Sequence, residues 1–186
     1  MKPGSRALGI AESFRRDADH STVAGVVTRT SRVVDGVAFS TATVGGTDVT
    51  EAVVDVFSKL DREDVQYVLV GGIALSWYNV VDLRAVADTT DLPVLSVTFE
   101  ASDGLEEPLR AAFEGQELTE RLETYRNQPE RYRVTVGDEV VYVRSVGIDV
   151  GRARDVVRGF TPEGGRPEPV RVARLAARGA DDLHDG

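Results

Sequence analysis

Apolar residues fall into two regimes along the chain. Up to about position 44 they come in short β-branched runs; beyond it, runs with helical spacing alternate with short continuous ones. Residues 6–11 (Arg-Ala-Leu-Gly-Ile-Ala) read as a buried strand. Residues 22–30 and 33–44 are rich in Val and Thr and read as two more, with Asp35-Gly36 as a turn signal. Three strands before any helix predict an antiparallel meander. Asp48 followed by Glu51 has the spacing of a helix start, and Ala52, Val53, Val56, Phe57 and Leu60 carry that helix forward. Residues 66–70 form a continuous apolar strand closed by Gly71-Gly72. The pattern then predicts a helix over 75–87, a strand over 92–97 and helical character over 105–126, broken near Gly115. A hairpin about Gly137-Asp138 comes next, and helices over 149–158 and 168–178 follow. No repeat or linker interrupts residues 1–186, which predicts one domain. The order predicts an α/β fold: a mixed sheet of three antiparallel strands and then β-α units, with helices on both faces. The ribonuclease H-like architecture begins in this way.

Composition removes several chemistries. There is no cysteine, so no disulfide framework and no thiolate metal site. His20 and His184 are the only histidines, too few for a histidine-based zinc centre. No apolar run has the length of a membrane span, and the first residues lack a signal-peptide core. A cytoplasmic protein with no membrane partner is expected.

Charge changes the picture further. The chain carries a net charge of −9, and all but two of its 22 cations are arginines. An acidic, lysine-poor chain suits a very salty cytoplasm, where screening relieves self-repulsion. Yet residues 150–180 hold seven arginines against Asp155, Glu163 and Glu168. A basic segment on an acidic body points to a polyanionic partner.

Four groups of residues could carry chemistry. Glu12, leaving the first strand, and Asp48, at a helix start, offer hard oxygen ligands for Mg²⁺ or Mn²⁺. Asp48 serves equally as a plain N-cap. Trp77 and Tyr78 could stack on a base, although either could be core. Asn79 and Asp82 lie three apart, on one face of the predicted helix. Arg171, Arg174 and Arg178 form a stripe suited to phosphate, or simply a solvated helix face.

The stretches Leu8-Gly9-Ile10-Ala11-Glu12-Ser13, Gly72 to Asp82 with Asn79-Val80-Val81-Asp82, Leu92-Pro93-Val94, and Pro167-Glu168-Pro169-Val170-Arg171-Val172-Ala173 occur in order over nearly the whole chain. Together they resemble the archaeal endonuclease dU family, which is itself similar to endonuclease V. The resemblance implies a ribonuclease H-like fold and a metal-dependent endonuclease that nicks DNA at deaminated bases such as deoxyuridine. In the endonuclease V pattern three carboxylates hold the metal. This chain keeps the middle one, as Asp48. Ala11, with Glu12 beside it, and Gly71 stand at the other two places, and Arg174 stands where histidine is common. The catalytic and metal set implied is therefore Asp48 with Glu12 or Asp82, holding Mg²⁺ or Mn²⁺. Trp77, Tyr78, Asn79, Arg171 and Arg174 would contact the nucleic acid, DNA or RNA. A non-catalytic binding or regulatory protein that kept the fold and lost the metal site is the alternative. A small-molecule hydrolase using Gly45-Gly46 or Gly71-Gly72 as an anion loop fits least, since neither is a phosphate-loop pattern.

Overall fold

The computed structural model describes residues 1–183. His184 lies outside the described residues.

Seven strands form one mixed sheet, which from edge to edge runs through residues 34–43, 20–29, 6–13, 67–70, 94–98, 139–146 and 132–136. Its first half is the expected meander: β1 (Arg6–Ser13), β2 (His20–Arg29) and β3 (Val34–Thr43), all antiparallel. The turn between β2 and β3 is tighter than the Asp35-Gly36 signal suggests. Arg32 adopts the left-handed conformation there (φ 66°), and Asp35 and Gly36 lie within β3. Asp35 gathers Arg6 (2.7 Å) and Arg29 (2.6 Å) from the neighbouring strands, so its charge is spent on an ion pair and not on a turn.

Helix α1 (Val49–Leu60) crosses over to β4 (Tyr67–Val70), which pairs parallel with β1. β7 (Val94–Thr98) adds parallel to β4, with Pro93 just ahead of it, where a missing N–H costs least. β9 (Glu139–Val146) and β8 (Tyr132–Val136) close the far edge as an antiparallel hairpin.

Residues 75–87 depart from the pattern. In place of one long helix the chain makes a small hairpin, β5 (Ala74–Leu75) and β6 (Asn79–Val80), and then the short helix α2 (Leu83–Thr90). The hairpin satisfies its backbone elsewhere: the Val81 N–H donates to Ile73 O, and the Gly45 N–H to Ser76 O. Helices α3 (Glu106–Ala112) and α4 (Gly115–Arg126) are the two expected pieces, with Gly115 at φ 59°. α5 (Val150–Gly159) and α6 (Glu168–Leu183) follow.

The sheet is covered on both faces. Leu8, Ile10, Val23 and Val27 meet α1 and α2 in one core. On the other face Leu69, Leu95, Val141 and Val143 meet α5 and the start of α6. α6 lies so close to β1 that a side chain at Gly9 would collide with its backbone: a Cβ there would sit 2.1 Å from the Pro169 carbonyl carbon. Ala11 and Ala173 continue this small-residue contact along the helix. The helix carrying the Pro-Glu-Pro stretch is thus pressed onto the strand carrying Glu12.

Candidate functional site

β1 and β4 are adjacent and parallel, but their onward connections lead to opposite halves of the sheet. Ligands of open α/β sheets bind in the crevice beyond the carboxyl ends of such strands. A cleft opens there, made of two cavities that share Gly71, Thr98 and Glu100. The outer one, about 190 Å³, is bordered by Glu12, Phe99, Arg166 and Arg174. The inner one, about 240 Å³, is lined by Ser96, Thr98, Tyr125, Arg131, Tyr142 and Arg144 and by the backbone of Gly71-Gly72. Four arginines and two glutamates border the whole, a positive cleft in a chain of net charge −9.

Glu12 lies within β1, not beyond it. The register runs unbroken through Glu12↔Val23 and Ser13↔Thr22, so Glu12 and Ala11 point to opposite faces. One carboxylate oxygen of Glu12 accepts the Ser76 N–H; Oε2 is buried and has no partner among the described residues. Burial raises its pKa, and the Ser76 bond and the Arg174 charge pull it down without offsetting that.

Asp48 is the N-cap residue of α1, but its side chain does not cap the helix. It turns back to accept the Thr43 N–H (3.0 Å), the Thr43 hydroxyl (2.8 Å) and the Asn79 amide (2.8 Å). Burial pushes its carboxyl up, yet these bonds outweigh it and leave the pKa below the ordinary value. Asn79 completes the knot: its amide also donates to Thr43 O, and its carbonyl accepts the Val49 N–H (3.1 Å), which the Asp48 side chain leaves free. Asp82 caps α2 by accepting the N–H groups of Arg84 (2.9 Å) and Ala85 (3.1 Å). It does not share a helix face with Asn79, because that helix starts only at Leu83.

Asp48 therefore ties the turn before α1 and Asp82 caps α2, while Glu12 borders the cleft with one oxygen unpartnered among the described residues. Among the described residues no group of three or more His, Asp or Glu side chains is arranged to hold a metal ion. At the cleft itself, Ala11 and Gly71 offer no side-chain oxygen, and the Arg166 and Arg174 charges oppose a cation. The residues present do not fit a Mg²⁺ or Mn²⁺ centre built on Asp48 with Glu12 or Asp82, the set that the sequence resemblance implies.

Trp77 and Tyr78 do not line the cleft. They sit at the tip of the β5-β6 hairpin, where Ser76, Trp77 and Tyr78 are all left-handed (φ 48°, 54° and 60°). Each such residue costs about 1–2 kcal/mol. The turn is held by Ser76, buried, whose hydroxyl bonds Ser21 and whose backbone bonds Glu12 and Gly45. Tyr78 packs edge-on against Phe113, with centroids 6.5 Å apart, and Arg121 lies over the same ring. Trp77 is left 51% exposed, its ring against Gly45.

The arginine stripe divides. Arg171 is taken by Glu168 in a two-bond ion pair (2.7 Å). Arg174 faces the cleft. Burial first, then repulsion from Arg166 and Arg178, lowers its pKa. Arg166, stacked over Phe99 at 4.9 Å, joins it on the cavity wall. The sequence places Arg166 in the basic segment, directly before the Pro-Glu-Pro stretch, but Arg171 and Arg174 alone were assigned a nucleic-acid contact there. Thr98, Arg131 and Tyr142 were missed as well; Thr98 and Tyr142 come from β7 and β9 and Arg131 from the loop before β8, and no local pattern marks them.

The chain matches the family model described as endonuclease dU over residues 3–180. A UPF0215 protein of Pyrobaculum calidifontis is 40% identical over 178 residues, covering 92% of this chain and 94% of that one. A crystal structure of a protein of unknown function from Archaeoglobus fulgidus superposes with a TM-score of 0.83 at 27% identity, covering 95% of this chain and 98% of that one. An endonuclease V from Ciona intestinalis, solved with a 24mer DNA containing an inosine followed by a ribo-adenosine, superposes at 0.61 with 11% identity. It covers 97% of this chain and 87% of that one, a likeness of fold alone.

Proposed function

Because the chain belongs to the endonuclease dU family, we propose that it is a nuclease-type hydrolase acting on nucleic acid at the strand-end cleft, with deoxyuridine-containing DNA as its substrate. The observation that carries this reading is the pairing of the two cavities. The outer one presents guanidinium groups to a phosphate. The inner one, with room for a single base, is lined by the Ser96 hydroxyl, the Gly71-Gly72 backbone, Thr98, whose hydroxyl accepts from Arg131 (3.1 Å), and the Tyr125 and Tyr142 rings with Arg144 and Arg131 laid over them. An extruded base needs such a pocket beside the scissile phosphate. Trp77, half-exposed on a rigid turn, is placed to stack on the nucleic acid from outside the cleft. The acidic, lysine-poor composition supports work at high salt, where stacking holds better than phosphate contacts do.

The lack of a carboxylate cluster among the described residues favours the second reading, a binding protein without catalysis. One assay separates the two. Labelled DNA carrying one deoxyuridine is incubated with the protein in molar KCl, with Mn²⁺, with Mg²⁺ or with EDTA. A nick at the deoxyuridine that falls away in Trp77→Ala and Arg174→Gln supports the hydrolase. Tight, uracil-dependent binding by folded protein without a nick under any condition supports the binding protein. A chain that neither binds nor cleaves ends both readings.

A further inference from the structure

We propose that Arg166 and Arg174 form a phosphate-binding fork at the mouth of the cleft that holds the nucleic-acid backbone without a bridging divalent cation. The inference rests on the nuclease reading only in taking the anion to be a nucleic-acid phosphate.

Three observations carry it. First, the two guanidinium groups border one cavity although they come from different segments, the 161–167 loop and α6, and repulsion from Arg166 and Arg178 exceeds the attraction of Arg174 to Glu12 on the same wall. Like charges brought together at a cavity are stabilised by an anion placed between them. Second, neither group donates a hydrogen bond to, or forms an ion pair with, another described residue, whereas Arg171, one turn away on α6, is fully engaged by Glu168. Their donors therefore remain available to phosphate oxygens. Third, the position is built rather than accidental. α6 is seated against β1 by the bare backbone of Gly9 and by Ala11 and Ala173, and Arg166 is laid over Phe99. That packing fixes where both forks stand.

The same observations replace the cation. At a strand-end metal centre a cation held by carboxylates faces the phosphate, whereas here Ala11 and Gly71 border the cavity without a side-chain oxygen. Two arginines supply the positive charge directly, and their planar forks add orientation that a point charge does not.

The test is binding of a fluorescent single strand with one deoxyuridine, measured by anisotropy at fixed ionic strength in EDTA and in Mg²⁺. The wild-type chain is expected to bind within about twofold under the two conditions. Arg166→Gln and Arg174→Gln should each weaken binding about tenfold, and the double variant more. Each should also lower the slope of log affinity against log salt by about 0.7. Both side chains are exposed, so thermal melts should match wild type and exclude a folding defect. Binding that is absent in EDTA and restored by Mg²⁺ or Mn²⁺ overturns the cation-free fork and leaves the nuclease reading standing. Unchanged binding by the double variant also overturns the fork alone. No binding by wild type under any condition overturns both.

Discussion

Two carboxylates near the end of the meander live in opposite circumstances. Asp48 accepts from Thr43 twice and from Asn79, and Asn79 in turn holds the start of α1. Glu12 accepts one backbone N–H and leaves its other oxygen buried and, among the described residues, unpartnered. The first region is a closed knot in which every polar atom has a structural task. The second is an open cleft in which a carboxylate and two guanidinium groups are held ready with their bonding capacity unspent. Buried polar groups are normally satisfied, so the Glu12 oxygen at the cleft stands apart from the fully bonded knot. The residue type alone does not separate the two, since both look like metal ligands in the sequence.

The comparison can be broken at the cleft without touching the knot. Gly9→Val would force α6 off β1, because the added atoms meet the Pro169 backbone and not a movable side chain. A loss of about 3 kcal/mol or more is expected, with nucleic-acid binding lost in the same variant as Arg174 is displaced. Urea unfolding and anisotropy read both. The converse is Asn79→Leu, which leaves the Val49 N–H without its partner and takes one donor each from the Thr43 carbonyl and the Asp48 carboxylate. It should cost about 2–3 kcal/mol by urea denaturation. The cleft side chains keep their own contacts in that variant, so binding by its folded fraction should persist.

Acid sharpens the contrast, because the satisfied and unsatisfied carboxyls respond with opposite sign. Asp35, bonded by Arg29 and Arg6, has its pKa lowered to about 2. Its contribution is present above the unfolded value near 3.8 and is lost as pH falls toward 2. Asp48, also lowered, acts in the same direction. Urea midpoints of wild type should therefore fall between pH 4 and pH 2, and Asp35→Asn should flatten that fall. Glu12, with its pKa raised by burial, does the reverse. The folded state holds its proton more tightly, so its contribution is full below the unfolded value and is lost as pH rises through the folded one. Glu12→Gln should accordingly be slightly more stable than wild type at pH 7, with the difference closing toward pH 4. This is the smallest effect of the four. An equal loss at both pH values would mean that Glu12 is a structural group like Asp48.

Much of the architecture is legible in the order of residues. The β-branched runs up to position 44, the continuous apolar run ending at Val70, the helical spacing from Val49 to Leu60 and the Gly137 turn each specify their element locally, because side-chain period and turn chemistry are local properties. The 75–87 segment is not legible in this way. Its composition suits a helix, but the bonds that Ser76 makes with Ser21, Gly45 and Glu12, with the packing of Tyr78 on Phe113, hold three residues left-handed against their preference. The candidate residues Asp48, Glu12, Asp82 and Arg174 could be picked out by charge and position alone. Which of them face one another could not. Whether a carboxylate caps a helix, ties a loop or meets a cleft depends on groups that the sheet order brings together from distant parts of the chain. The same holds for Arg166 and Arg174, whose shared cavity exists because Gly9 lets α6 settle directly on β1. The sequence by itself determined the elements, the acidic body and its basic segment. Only the tertiary structure decided which charges are spent and which remain free, because hydrogen bonds and burial depend on distances that no local pattern encodes.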